Sequence, residues 1–145
     1  MKKSTNIRDF WLLVLFVYAI LGFSSVRAQD EGLKKGLTLL NQGNFDEAIV
    51  VLRQEVDKNP QEPEGHVALG ISYLEKGENS LAQDHLQKAA QLDPNTVTAS
   101  YTLAMLYEKE QELTKAIEEW KKVLALTKDK DLKELARKHI RHLEQ

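Results

Sequence analysis

Residues 63–96 read PEGHVALGISYLEKGENSLAQDHLQKAAQLDPNT, and the spacing of small and large residues in this stretch recurs on both sides of it. Ala82 lies midway between Ala48 and Ala116, and the step between neighbouring alanines is about 34 residues, a length typical of repeat proteins. The same step, which we call the register step, joins further sets of residues, namely Gly36, Gly70 and Ala104; Leu52, Leu86 and Trp120; Gly43 and Gly77; Tyr73 and Tyr107; and Pro60 and Pro94. A fixed step of this length predicts a repeated unit whose copies stack to bury a continuous core.

Each unit is predicted to be two helices joined by a tight turn. The small residues of the pattern let two helix backbones approach closely, the glycines suit the turn, and Pro60 and Pro94 end one unit and admit the next. Asn44, with Glu47 three residues later, is expected to form a capping box. The predicted helices cover residues 31–41, 45–57, 64–76, 79–91, 97–109 and 113–126.

The second unit resembles a tetratricopeptide repeat (TPR) almost throughout. The residues that carry the resemblance are Leu69, Gly70, Tyr73, Gly77, Ala82, Leu86, Ala89 and the run Leu92-Asp93-Pro94-Asn95. The resemblance covers about 100 residues. It implies an all-α solenoid of stacked helix pairs and says almost nothing about the partner.

The register divides the chain into TPR 1 at residues 29–62, TPR 2 at 63–96, TPR 3 at 97–130 and a capping helix at 131–145. The first repeat departs from the family pattern, with Gly32 where a large aromatic residue is usual and Lys35 where a leucine is usual. The third has Lys128 where the closing proline would stand. The capping helix is predicted from an apolar face formed by Leu132, Leu135, Ala136, His139, Ile140 and Leu143, and is expected to cover the end of the solenoid.

Residues 1–28 have the three-part layout of a secretory signal peptide. Basic residues come first, an apolar run follows from Phe10 to Phe23, and small residues at Val26 and Ala28 predict cleavage after Ala28. The alternative is an uncleaved anchor that keeps the protein on the extracytoplasmic side of a membrane. The apolar run of 14 residues gives a helix of about 21 Å, short of the roughly 30 Å hydrocarbon core.

The charge is unevenly distributed along the predicted mature chain. From Gln29 onward 16 Lys and Arg oppose 21 Asp and Glu, a net charge of −5. Residues 29–114 carry −8, and the stretch from Lys115 onward carries +3. A net acidic, exported domain without a basic stripe interleaved with aromatic residues is not expected to bind nucleic acid. The chain has no cysteine, so no disulfide framework is available to it.

In the TPR family, the first helices of successive repeats line a concave groove. The register assigns nine positions to this partner-binding groove, which we call the groove residues: Leu33, Leu37, Leu40, Val67, Ile71, Leu74, Tyr101, Met105 and Glu108. TPR co-chaperones that grip acidic chaperone tails need Lys, Asn and Arg at such positions. None of the nine carries one, which argues against that activity.

A mostly apolar groove suits a peptide or amphipathic helix that docks a hydrophobic segment. Two structural alternatives remain open at this point: the capping helix or the start of the chain covers part of the stripe, or two copies of the chain pair through it. Tyr101, Met105 and Glu108 are the residues expected to confer selectivity.

No arrangement in the sequence points to catalysis or to a cofactor. The chain lacks cysteine, a glycine-flanked serine elbow and a phosphate loop. His139 and His142 have a metal-like spacing but no obvious third ligand, and His139 and His66 are expected to be packed core residues. The expectation is therefore a non-enzymatic adaptor or scaffold in the periplasm or outside the cell, with no metal or cofactor. A holdase-like chaperone and a self-assembling homo-oligomer are the alternatives.

Overall fold

The computed structural model describes residues 31–145, and this part of the chain contains seven helices and no strand. The predicted signal peptide lies outside the described residues. None of the described helices is long and apolar enough to cross a membrane. The helices are α1 at 31–41, α2 at Phe45–Lys58, α3 at Pro63–Glu75, α4 at Asn79–Leu92, α5 at Val97–Lys109, α6 at Leu113–Leu126 and α7 at Lys130–Leu143. These bounds agree with the predicted helices to within one residue.

The helices pack as consecutive pairs along a solenoid. α3 packs on α4 and α5 on α6, and the pairs join through contacts of α2 with α3 and of α4 with α5. α3 and α5 also touch each other, whereas no contact joins α2 to α4 or α4 to α6 within the described residues. The first helices of the pairs are therefore gathered on the inner side of the curve, and the second helices lie on the outer side.

Two glycines allow the close approach of paired helices. A methyl group at Gly36 would clash with the Leu52 side chain, and one at Gly70 would lie 2.7 Å from Leu86 Cγ. Both leucines are completely buried. The register pairs Gly36 with Leu52 and Gly70 with Leu86 in the same way, so the repeated spacing reflects a repeated packing contact.

The turn between paired helices is the same in all three pairs. Gly43 and Gly77 have φ angles of 78° and 79°, and Gln111, one register step further, has φ 62°. In the first turn the Asn44 N–H donates to the Leu39 carbonyl at 2.9 Å, and equivalent bonds close the other two. This is the Schellman arrangement, in which one left-handed residue ends the helix.

The predicted capping box at Asn44 and Glu47 is wrong. The Asn44 side chain makes no capping hydrogen bond. A capping box also needs the Asn44 backbone N–H to be free for the Glu47 carboxylate, and that N–H is already bonded to Leu39. Helix termination in the preceding turn has used the donor that the capping box requires.

The unusual Gly32 of the first repeat is matched by an unusual residue on α2. Glu55 is buried at 5% exposure, and its carboxylate occupies the space into which a side chain at position 32 would project. The Asn59 amide donates to Glu55 Oε1. The residues equivalent to Glu55 in the next repeats are the smaller Ala89 and Val123. In the first repeat the large side chain is therefore on α2, at Glu55, and the small residue is on α1, at Gly32.

On α3 and α5, one face packs against the preceding helix and is buried. The equivalent face of α1 is polar. Glu31, Lys35 and Thr38 are exposed. The equivalent residues pack against the preceding helix and are buried, namely Gly65, Leu69 and Ser72 on α3 and Ala99, Leu103 and Leu106 on α5. Lys35 therefore stands, in place of the usual leucine, on a face that the other described residues leave exposed.

The other end is formed by α7, which packs on α6. Asp129 caps the helix by accepting from the Leu132 N–H at 2.9 Å. At the positions where α5 carries Leu103, Ala104 and Tyr107 to pack on α6, α7 carries Arg137, Lys138 and Arg141, all exposed. This face of α7 is therefore charged where the equivalent face of α5 is apolar.

Candidate functional site

The groove residues lie on the first helices α1, α3 and α5, the inner side of the solenoid. None of the nine is fully buried in the isolated chain. Leu37 is 41% exposed and Met105 is 39% exposed, and both rank among the most exposed large apolar side chains of the described residues. The stripe begins on α1 and ends on α5.

Four groove residues also contribute to the core. Leu33, Leu40 and Leu74 pack against the cluster built around Leu52 and Leu69, and Tyr101 packs against a second cluster around Trp120. One part of each side chain packs in the core, and the remaining part reaches the groove. This anchoring makes the surface partly preformed, which lowers the entropy lost when a partner binds.

Glu108 is bonded to two other helices. Its Oε1 atom accepts from the indole N–H of Trp120 on α6 and from Nδ1 of His139 on α7, the latter at 2.8 Å. Trp120 is completely buried, whereas the Glu108 and His139 side chains are 20% and 25% exposed. The carboxylate is thus held in place at the end of the groove next to α7.

The aromatic rings beneath Glu108 form a stack that joins three helices. The ring of His139 stacks on that of Trp120 at an interplanar angle of 23° with centroids 4.4 Å apart, and Tyr101 meets Trp120 edge-on at 5.4 Å. The capping helix contacts the Tyr101 and Glu108 end of the stripe, and the start of the chain lies outside the described residues. The covering by α7 leaves Leu37 and Met105 exposed.

Sequence reasoning missed the role of His139. It was expected to be a packed core residue, and the structure makes it a hydrogen-bond partner of a groove residue. The register could have indicated that His139 lies near the groove, because it is one register step after the groove residue Met105. Among residues 31–145 no group of three or more His, Asp or Glu side chains is arranged to hold a metal ion.

Two histidines are in contact between α3 and α4. His66, 6% exposed, places Nε2 at 3.2 Å from the Pro60 carbonyl and Nδ1 at 3.1 Å from Nδ1 of His85. Because the carbonyl accepts from Nε2–H, Nδ1 of His66 is the acceptor and His85 donates to it. The pair links the loop before α3 to α4.

This histidine pair predicts a dependence of stability on pH. Burial, then the neighbouring His66 and, more weakly, Arg53 lower the pKa of His85, while Asp84 opposes the shift. The folded state then favours the neutral ring. Its contribution to stability is complete above the unfolded pKa of about 6.5 and is lost as the pH falls from there through the lower folded pKa. We expect the free energy of unfolding to decrease over this range, by at most about 1.4 kcal/mol per pH unit from this group.

Urea unfolding between pH 7.5 and 4.5 measures this effect. A His85→Gln variant removes the titrating group, so its curve should run parallel to that of the unaltered chain above about pH 6.5 and diverge from it below. His142, which is exposed, provides the control, because His142→Gln should leave the pH dependence unchanged. Curves for the unaltered chain and His85→Gln that stay parallel over the whole range would refute the assignment.

The sequence model of the tetratricopeptide repeat matches this chain twice, at residues 33–95 and 67–129. Both ends of the second match lie one register step after those of the first. Together the matches cover more than half of the chain.

Similar proteins come from different cellular settings. Peroxisome biogenesis protein 5 of Arabidopsis thaliana is 28% identical over 101 residues, which cover 70% of this chain and 14% of that protein. Type IV pilus assembly protein PilF of Pseudomonas aeruginosa is 35% identical over 72 residues, which cover 49% of this chain and 29% of that protein. The chain thus matches only a minor part of each of these relatives.

Solved structures with the same fold include two peptide complexes. The first TPR domain of Spaghetti (RPAP3), bound to the HSP90 peptide SRMEEVD, has a TM-score of 0.72 and 21% identity, covering 81% of this chain and 94% of that one. The Yersinia enterocolitica type III secretion chaperone SycD, in complex with a peptide of the translocator YopD, has a TM-score of 0.73 and 16% identity, covering 79% and 91%. At these identities the likeness concerns the fold.

Proposed function

The chain belongs to the tetratricopeptide repeat family, and from that premise we propose that it is a non-enzymatic adaptor that docks a hydrophobic helical segment of a partner protein. TPR domains mediate protein–protein interactions, and related structures hold peptides. We assign three repeats, 29–62, 63–96 and 97–130, with the capping helix at 131–145. The observation that carries the proposal is the apolar stripe on the inner helices, in which Leu37 and Met105 are exposed and Ile71 between them is half-buried.

The chemistry of the groove favours an apolar partner over an acidic one. The Spaghetti domain binds SRMEEVD, a peptide with three acidic side chains. Here eight of the nine groove residues are uncharged and the ninth is Glu108, which would repel such a peptide. An amphipathic helix that lays its apolar face in the groove satisfies both the shape and the charge of the surface.

We further propose that the adaptor works outside the cytoplasm, in the periplasm or an equivalent space. The support is the layout of residues 1–28 as a signal peptide with cleavage after Ala28. The stretch Phe10 to Phe23 would be the only contact with a membrane if it were retained. Self-assembly by end-to-end stacking is disfavoured, because both ends of the described solenoid expose charged residues, Lys35 at one end and Arg137 and Lys138 at the other.

A cross-linking pull-down from the native envelope tests the proposal with two triple variants. The groove variant carries Leu37→Gln, Ile71→Thr and Met105→Gln. The matched control carries Val50→Thr, Leu81→Gln and Leu113→Gln on the outer helices, where these side chains are 57%, 42% and 41% exposed. We expect at least a tenfold loss of partner capture in the groove variant and none in the control, because only the first removes contact area in the groove.

The identity of the captured proteins separates the alternatives. A small, reproducible set of partners supports the adaptor. A broad set of unfolded proteins indicates a holdase, and capture of only this chain indicates a homo-oligomer. Equal capture by the two triple variants, with both still folded by circular dichroism, would show that the groove does not dock the partner.

A further inference from the structure

We propose that Glu108 is a fixed anionic anchor for a lysine of the partner helix. The inference rests on the proposed function and specifies the partner: an amphipathic helix with a lysine within one turn of its last apolar anchor. It follows from how the two oxygens of this carboxylate are used.

The two carboxylate oxygens of Glu108 are in different situations. Oε1 accepts both the Trp120 indole N–H and His139 Nδ1, and so is fully occupied. Oε2 accepts no hydrogen bond within residues 31–145, and it is not among the buried polar atoms that lack a partner. It is therefore open to solvent and to an incoming donor.

The position of the carboxylate is fixed before any partner arrives. Glu108 belongs to α5, and donors from α6 and α7 restrain its carboxylate. The rings that carry these donors, Trp120 and His139, stack on each other and so hold each other in place. A restrained carboxylate loses little rotamer freedom when it forms another hydrogen bond, so a charged contact here costs less than one made by a free surface glutamate.

The single open oxygen favours lysine over arginine. The arginine fork binds a carboxylate best through two parallel hydrogen bonds to both oxygens, and one of these is already taken. The ammonium group of lysine is a point donor that needs only Oε2.

The groove also sets the spacing of the partner's apolar anchors. Leu37, Ile71 and Met105 are equivalent residues on three successive inner helices. Neighbouring packed helices are about 10 Å apart, which is the rise of about seven residues of a helix that crosses them. The expected partner has apolar residues about seven apart, and a lysine one turn from the residue that meets Met105.

Synthetic peptides of this design test the anchor. We would use two fluorescein-labelled helical peptides of about 21 residues, with three leucines seven apart. They differ only in lysine or glutamine one turn after the last leucine. Fluorescence anisotropy with the chain from Gln29 onward should show about five- to tenfold tighter binding of the lysine peptide. Glu108→Gln should abolish this preference.

The control variant is Glu75→Gln, which removes the same charge from an exposed site on α3. It should retain most of the preference for lysine, since long-range attraction is weak at physiological salt. A second measurement does not depend on any variant: carbodiimide joins an ammonium to a carboxylate in contact, and the adduct of the lysine peptide should map to Glu108 by mass spectrometry.

The outcomes distinguish this inference from the proposed function. Equal binding of both peptides to the unaltered chain overturns the lysine anchor and leaves groove docking standing. Equal loss in Glu108→Gln and Glu75→Gln, or an adduct at Glu75, also overturns it, because the preference would then be non-specific attraction. If neither peptide binds, both the anchor and helix docking are contradicted.

Discussion

Replacing Trp120 with alanine is expected to lower the free energy of unfolding by about 3–5 kcal/mol, the usual cost of removing a buried tryptophan. Trp120 is completely buried among Ala104, Val123 and Ala136, so the packing around it cannot collapse without moving α5, α6 or α7. Domains of this size have only about 5–15 kcal/mol in total. The variant should therefore lose a large fraction of the stability of the domain.

The change also weakens the link between α7 and the groove, although the hydrogen bond of His139 to Glu108 does not involve Trp120. Without the indole, Glu108 loses one donor and His139 loses the ring on which it stacks. Urea denaturation followed by circular dichroism measures the loss. Trp120→Phe is the matched control, because it keeps an aromatic ring and removes the N–H, and it should cost about 1–3 kcal/mol. A loss below about 1 kcal/mol for Trp120→Ala would mean that this cluster is not part of the core.

Replacing Gly70 with alanine is expected to destabilise the fold by about 1–3 kcal/mol, although alanine is the better helix former by about 1 kcal/mol. The new methyl group would lie 2.7 Å from Leu86 Cγ and 3.2 Å from the Ala82 carbonyl oxygen. The first of these contacts is far inside the carbon–carbon contact distance of about 3.5–4.0 Å. The leucine is fully buried and the carbonyl belongs to the backbone of α4, so neither moves freely.

Gly65 on the same helix provides the control. A methyl group there would meet only Val56 Cγ2, at 3.3 Å, so that a small shift of one side chain relieves the contact. Gly65→Ala should change the free energy of unfolding by less than about 1 kcal/mol. Thermal and urea unfolding of both variants test the pair. Equal effects at the two positions would show that α3 and α4 do not approach as closely as described.

The fold was predictable from sequence because each repeated spacing encodes one recurring contact. Gly36 facing Leu52 and Gly70 facing Leu86 are the same local contact, one register step apart. Gln111 is an exception, because its φ of 62° is a left-handed conformation that the residue type alone does not predict. It takes the position that Gly43 and Gly77 occupy in the other repeats, so only the register identifies it.

The sequence could propose a groove only as a set of positions. The register assigns Leu37, Ile71 and Met105 to it, and in the structure Leu37 and Met105 are exposed and Ile71 is half-buried. It could not show that Glu108 shares an oxygen between Trp120 and His139, because that contact depends on how α7 is rotated on α6. The first repeat has a similar exchange at Gly32 and Glu55, where a compensating pair lies on two helices and neither residue is informative alone.

The most direct test of the groove is site-specific photo-cross-linking in cells. A benzophenone amino acid would be placed at Leu37 or Met105 on the inner face, and at Leu81 or Leu113 on the outer face, four positions of nearly equal exposure between 39% and 42%. Equal exposure makes the comparison one of location and not of accessibility. We expect a discrete partner adduct from Leu37 and Met105 and none from Leu81 and Leu113. The same adduct from the outer positions, with none from the inner ones, would contradict docking in the groove.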